Sequence, residues 1–178
     1  MPDQALSELY SRLSVREAAL DRLLHCFQDL SQPRRTFQGL LEIATEAIPA
    51  DASSLFLVTA EDGTMTAVAA TGPVAEKVVG MKLAPGQGVP GVVARDRHSL
   101  PLSDIRKESV YSKELHSIDG YETTSLLAVP ILYKADFTGV VELINRRGGS
   151  EWMRHEVELL ERIARTAGTI ANLIGERR

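Results

Sequence analysis

A chain of 178 residues, 44% hydrophobic and 25% charged, is long enough for one buried core plus an extra element and too apolar to be disordered. A formal net charge of -4 without a long basic run leaves no electrostatic footprint for nucleic acid, and a single cysteine, Cys26, excludes a disulfide framework or a multi-cysteine metal site. No apolar run is long enough to span a bilayer and no export signal is visible, so the expected location is cytoplasmic, with no membrane partner.

From Ala5 to Leu30 the apolar residues recur at heptad spacing. Leu6, Leu13, Leu20 and Phe27 share one position, Leu9, Leu23 and Leu30 fall three later, and Arg16 is the break. So narrow a stripe predicts an amphipathic dimerisation helix over residues 1–32, the seam of a coiled coil, with packing on its own domain as the alternative. Burial of each such leucine is worth about 1.5 to 3 kcal/mol, which is why the stripe wants a partner.

Pro33 is expected to end that helix, and a second one is expected from Thr36 to Ile48, closed by Pro49. The runs Ser53–Thr59 and Thr64–Thr71 flank Glu61-Asp62-Gly63 and predict a hairpin. A helical turn over Val74–Val79 and a short strand over Met81–Ala84 follow. Ser99–Ser103 contains Pro101 and is therefore expected at a sheet edge. The segment from Asp104 to Glu122 has no long period, the mark of a functional or mobile stretch. Two strongly apolar runs joined at Lys134-Ala135-Asp136 predict a second hairpin near the middle of the sheet. Pro130 should leave its strand unpaired on one side, and Gly139 should mark a bulge or a close backbone approach. A last helix over Trp152–Ile174 has a thin side at Ala164, Ala167, Gly168 and Ala171, open to close approach by another helix. This order is not the alternation of βαβ units; it describes an α+β domain with an antiparallel sheet and its helices on one face.

Gly86-Gln-Gly-Val-Pro-Gly91 matches the three-glycine dinucleotide fingerprint letter for letter, with Asp104 near the place of its ribose-binding acid. That motif needs a buried parallel strand before the first glycine and another after a long helix. Pro85 and Pro101 stand where those strands would be. A structural role fits instead, with the glycines in tight turns and Pro90 in the first turn of a short helix.

Pro85-Gly-Gln-Gly-Val-Pro-Gly-Val-Val-Ala94, Leu102-Ser-Asp104, Thr124-Ser-Leu-Leu-Ala-Val-Pro-Ile131 and Gly139-Val-Val-Glu-Leu-Ile-Asn145 together resemble the GAF domains of sensory and regulatory proteins. The resemblance covers residues 34–174 and assigns residues 33–178 to one sensor domain. It implies a central antiparallel sheet of about six strands with the terminal helices on one face and a small-molecule pocket on the other, the GAF/PAS-like, profilin-like architecture. It also implies a homodimer through the terminal helices, an effector of unknown identity, and an output domain or partner signalling protein. Cyclic-nucleotide-binding members carry an Asn-Lys, Phe, Asp-Glu signature. This chain is similar at Asn145-Arg146, Trp152 and Glu156-Val157, where Lys becomes Arg and the last acid becomes apolar. Bilin-binding members and those that reduce free methionine sulfoxide use cysteines near the pocket, whereas Cys26 falls in the N-terminal segment.

Within the pocket so implied, the candidate ligand-binding residues are Phe56, Asp104, Arg106, Tyr111, His116, Tyr121, Thr123 and Ser125. Asp104 with Arg106 is either a clamp for a polar ligand or an exposed pair. His116 would titrate, ligate a metal, or simply form hydrogen bonds. The two tyrosines would stack on a ring or close a local core. Glu142 lies inside an apolar strand, where a carboxylate needs a partner, either a Lys or Arg at the sheet edge or a ligand. No serine–histidine–acid array, paired carboxylates or metal-ligand cluster is visible, so no catalytic residues are assigned and the cofactor is left open. The expected function is a regulatory ligand sensor, not an enzyme. The alternatives are a ligand-free dimerisation module and, further off, a cysteine-dependent reductase.

Overall fold

The computed structural model describes residues 31–59, 61–109 and 113–175, together with Ser14 and Asp21; the side chains of residues 113 and 114 are not described. The expected heptad stripe (Leu6, Leu9, Leu13, Leu20, Leu23, Phe27, Leu30), Cys26 and Tyr111 lie outside the described residues.

Helix α1 (Pro33–Ala47) leads into strands β1 (Ala50–Val58) and β2 (Met65–Thr71), followed by the short α2 (Ala75–Val78) and β3 (Lys82–Leu83). Then come α3 (Gly88–Asp96), β4 (Leu100–Leu102), a 3-10 turn (Ile105–Lys107), α4 (Lys113–His116), and the small strands β5 (Ser117–Ile118) and β6 (Tyr121–Glu122). The long strands β7 (Leu126–Tyr133) and β8 (Asp136–Arg146) and the helix α5 (Arg154–Gly175) complete the described chain. Pro33 starts α1 where the sequence suggested a breaker ahead of a helix at Thr36. Its fixed φ and missing N–H suit a first turn, where that donor would have no helical acceptor.

The six-stranded sheet has the order β3-β2-β1-β8-β7-β4. All of its pairings are antiparallel. This is the α+β arrangement read from the sequence, with β8 inside the sheet and Pro101 on the edge strand β4. Strand β4 pairs with β7 only over Leu126–Ala128, so Pro130 lies past its end and its missing N–H costs no ladder bond to β4.

Alternation along the strands separates two cores. Leu55, Ala69, Leu127, Val129, Ile131, Val141 and Leu143 pack under α1 and α5 with Phe37, Leu40, Leu41, Leu160, Ile163 and Ile170. On the opposite face Phe56, Met65, Ala67, Leu126, Ala128 and Val140 meet Leu83, Val89, Val93 and Ile105 from the short elements. The glycine-rich stretch forms α3, with Pro90 in its first turn. The strand after it joins the edge antiparallel, unlike a dinucleotide fold.

Two glycines let backbones meet. A Cβ on Gly139 would stand 2.0 Å from the Phe56 carbonyl oxygen, the close approach expected there. A Cβ on Gly168 would stand 2.4 Å from the Leu132 carbonyl oxygen. Ala164, Ala167 and Gly168 are buried in the core, where Gly168 meets β7, and α5 also contacts α1. Gly168→Ala therefore sets a helix-propensity gain of about 1 kcal/mol against a backbone clash, which normally costs about 1 to 3 kcal/mol. Chemical denaturation is expected to show a net loss of stability.

Candidate functional site

Strand alternation puts Ser54 and Phe56 of β1 and Val140, Glu142 and Ile144 of β8 on the face away from α1 and α5. Ser54 is the cross-strand neighbour of Glu142 on one side and Ala128 on the other. The small Ala128 leaves room beside the carboxylate. Ser54 Oγ donates to Glu142 Oε2 at 2.7 Å. Glu142 is 7% exposed, and no lysine or arginine among the described residues pairs with it. The edge cation expected from the sequence is thus absent among these residues, because Glu142 faces the second layer and not the sheet edge. Burial is the main cause that pushes its carboxyl up to about 7, opposed by the Ser54 hydrogen bond.

Over this floor stand α2, α4 and the β5–β6 hairpin. They enclose a cavity of about 60 Å³, with walls that include Val78, Met81, Leu115 and Ile118 beside Ser54, Phe56, Glu142 and Ile144. His116, Tyr121 and Thr123 also line it. His116 is buried, and its carbonyl accepts from Thr123 N at 2.7 Å, which fastens α4 to the loop after β6. The Tyr121 hydroxyl is buried without a hydrogen-bond partner. Burial raises its pKa, partly offset by the Asn145 side chain, whose own oxygen and nitrogen are engaged elsewhere. Outside, Lys77 of α2 pairs with Asp119 in the β5–β6 turn, joining two elements that form the cavity wall.

Asn145 anchors the loop that roofs the site. Its φ of 56° is left-handed, a conformation asparagine tolerates better than most residues. From there its Oδ1 accepts from Thr124 N at 2.8 Å and Thr124 Oγ1 at 3.0 Å, while Nδ2 donates to the Glu122 carbonyl at 2.8 Å. The next residue turns to the helix layer. Arg146 Nε and Nη2 both donate to the Glu156 carboxylate at 2.9 Å, and Glu156 Oε2 also accepts from Met153 N at 2.8 Å. Burial alone would raise the Glu156 carboxyl, but the Arg146 hydrogen bonds, the Met153 N–H and the guanidinium charge hold it below its ordinary value. Trp152 Nε1 donates to the Leu102 carbonyl at 3.3 Å, tying the approach to α5 to β4.

Of the residues proposed from sequence, Phe56, His116, Tyr121 and Thr123 line one cavity. Asp104, Arg106 and Ser125 are not among its lining residues. The Asp104 carboxylate accepts from Arg106 N and Nε and caps the 3-10 turn, and the Arg106 hydrogen bond is the main cause that holds its pKa down at about 2. Ser125 Oγ accepts from Arg146 N at 3.0 Å. Ser54, Val78, Leu115 and Ile118 were missed, and Glu142 was singled out without being placed here. Polar residues at alternate positions of otherwise apolar strands were the available signal for Ser54 and Glu142. Larger but more open grooves, of about 520 and 490 Å³, lie beside the start of α1 and beside β7. Among the described residues no cluster could hold a metal ion and no helix is long and apolar enough to cross a membrane.

Two stability predictions follow from these carboxylates. Glu142 is raised on folding from 4.5 to about 7, so its contribution is full below the unfolded value and is lost as pH rises through about 7. Glu142→Gln should therefore match the parent near pH 4.5 and exceed it by roughly 2 to 3 kcal/mol at pH 8 in urea titrations. Glu156 is lowered, so its contribution is present above its unfolded value of 4.5 and is lost on acidification. Arg146→Leu should cost about 3 kcal/mol at neutral pH, and the deficit should shrink as pH falls toward about 4.

The comparisons with known proteins converge on the same architecture. The GAF domain of a phosphoenolpyruvate-protein phosphotransferase from Coxiella burnetii superposes with a TM-score of 0.73 at 21% identity, covering 89% of this chain and 95% of that one. Free methionine-R-sulfoxide reductase from Neisseria meningitidis superposes with a TM-score of 0.75 at 12% identity, covering 94% of each. In sequence, the chain is 24% identical over 168 residues to the cone cGMP-specific 3',5'-cyclic phosphodiesterase subunit alpha' of Gallus gallus, 88% of this chain and 18% of that protein. The corresponding protein of Mus musculus is 32% identical over 75 residues, 42% of this chain and 9% of that one. The chain thus spans less than a fifth of the length of these curated relatives. The GAF domain profile matches residues 32–170, from the start of α1 through most of α5. By that match the chain belongs to the GAF domain family.

Proposed function

We propose that this GAF domain is a regulatory sensor that holds a small-molecule effector between the β1–β8 floor and the α2, α4 and β5–β6 roof. The carrying observation is a buried carboxylate without a cation facing an enclosed cavity, with an unpartnered tyrosine hydroxyl in the same wall. A purely structural second layer gains nothing from burying a carboxylate there, since a group of this kind is costly unless something compensates it. By the space one water needs, the cavity takes roughly four to six non-hydrogen atoms as it stands. A cyclic nucleotide is several times larger and would require the roof to open.

The output route runs through Asn145 and Arg146. An effector that moves the β6 loop acts on Asn145, and the adjacent Arg146 holds the first turn of α5. Transmission requires the effector to favour one arrangement of these elements, by about 1.4 kcal/mol for each tenfold change in the ratio of states. In this reading the heptads of residues 5–30 form a homodimer in the cytoplasm, and the output is a signalling domain or partner protein. The reductase sharing this fold is a reminder that the scaffold also hosts chemistry. Here the sole thiol, Cys26, lies in the heptad segment.

Native mass spectrometry of the purified chain tests this reading. A dimer with a defined added mass, whose ligand raises the melting temperature with concentration, is the expected result. No added mass, together with no thermal shift across a metabolite panel, would favour the ligand-free dimerisation module. Sedimentation equilibrium of the Leu13→Glu, Leu20→Glu double variant should show a monomer; an unchanged dimer would place the interface elsewhere.

A further inference from the structure

The polar equipment of the cavity is lopsided. Glu142 Oε2 receives the Ser54 hydroxyl, while no described residue donates to Oε1. The other polar side chains of the floor are already engaged with each other, Ser53 Oγ standing 2.7 Å from Thr71 Oγ1. Beside His116 and Thr123, the wall offers a ligand a carboxylate oxygen and the Tyr121 hydroxyl oxygen, and both can accept a hydrogen bond. Around them lie Phe56, Val78, Met81, Ile118 and Ile144, and no lysine or arginine lines the cavity to hold an anion. A small group rich in N–H donors and carrying a positive charge satisfies both oxygens and neutralises the carboxylate. A charge-assisted bond of that kind is among the strongest a buried site can make.

We propose that the effector of this cavity is a small organic cation, an amidinium or a protonated amine, whose N–H groups bind Glu142 and Tyr121 while its short apolar part lies against Phe56 and Ile144. This rests on the sensing role proposed above and names its ligand class. The titratable groups that face Glu142 across the cavity are His116 on α4 and Tyr121 on β6. The walls from α2 and β1 contribute Val78, Ser54 and Phe56, and its neighbour on β7 is Ala128. Burial without a cation favours the protonated acid in the empty site, pushing its carboxyl up to about 7. Binding of the cation then moves that proton from Glu142 to solvent and leaves a carboxylate–cation pair. Affinity should accordingly level off above about pH 7 and fall about tenfold per pH unit below it.

Three probes of the same size separate the chemistries: acetamidinium, acetamide and acetate, cationic, neutral and anionic in turn. They are titrated into the full chain and followed by NMR shifts of residues around the cavity and by calorimetry in buffers of different ionisation enthalpy. The expected result is saturable binding of acetamidinium alone, with proton release at pH 6 and little at pH 8. Glu142→Gln should weaken it about tenfold or more, since one charge-assisted bond becomes a neutral one. Ser54→Ala removes the bond that lowers the Glu142 pKa, and should move the midpoint of the pH profile upward. Equal binding of acetamide or acetate would overturn the proposal, as would unchanged binding in Glu142→Gln, a flat pH profile, or no saturable response to acetamidinium. A neutral or anionic ligand co-purifying in native mass spectrometry, with acetamidinium silent, would sink the cation assignment while the sensing role stood. An empty site in both experiments would remove both.

Discussion

The ion pair between Arg146 and Glu156 is the joint on which the two layers of this protein depend. A bidentate guanidinium–carboxylate contact is both strong and directional, so it fixes the angle at which the chain leaves β8 and enters α5. The pair is largely shielded from water, with side-chain exposures of 14% for Arg146 and 5% for Glu156, and it carries a second duty because Glu156 also satisfies the Met153 N–H at the start of the helix. One residue earlier, Asn145 performs the complementary task on the other face. The left-handed φ of 56° at Asn145 breaks the regular alternation of β8, so a single dipeptide can hold the roof of the cavity and the root of the terminal helix together. The helix-side core and the cavity are thus not separate compartments joined by a flexible loop.

That junction also shows what was legible in the sequence. The pattern at Asn145-Arg146, Trp152 and Glu156 was recognised, and the sheet followed from local signals: Asp62-Gly63 for the first hairpin, the apolar runs for β7 and β8, and Pro101 for an edge. These features are encoded within a few residues of where they act. Pairings across long separations were not legible. Ser54 and Glu142 are 88 residues apart, and their contact is fixed by the register of β1 against β8, which neither segment specifies alone. The same limit explains the site residues. Phe56, His116, Tyr121 and Thr123 converge on one cavity, while Asp104 and Arg106 attend to a local turn that a sequence cannot distinguish from a clamp. The small residues of α5 show in the sequence that a surface is thin without showing what covers it, which at Gly168 is the β7 backbone.

Glu142 places the site in tension with the fold. At neutral pH its burial opposes folding, and the surrounding apolar contacts must outweigh that cost. An aliphatic side chain would continue the apolar alternation of β8 at this point, with loss of the acceptor for the Ser54 hydroxyl. A residue that stability alone would not choose, facing a cavity that packing alone would fill, is what supports the proposed binding role of this second core.

Pro130 limits how the molecule can meet its own kind. A long strand whose outer side is bare is a template on which another chain can crystallise, the first step toward fibrous assemblies. Past the end of β4, β7 carries a residue that has no N–H to give, and the ladder cannot be continued cleanly through it. A neighbouring chain would find this border of the sheet a poor place to extend it, because one rung of the new ladder would lack its donor.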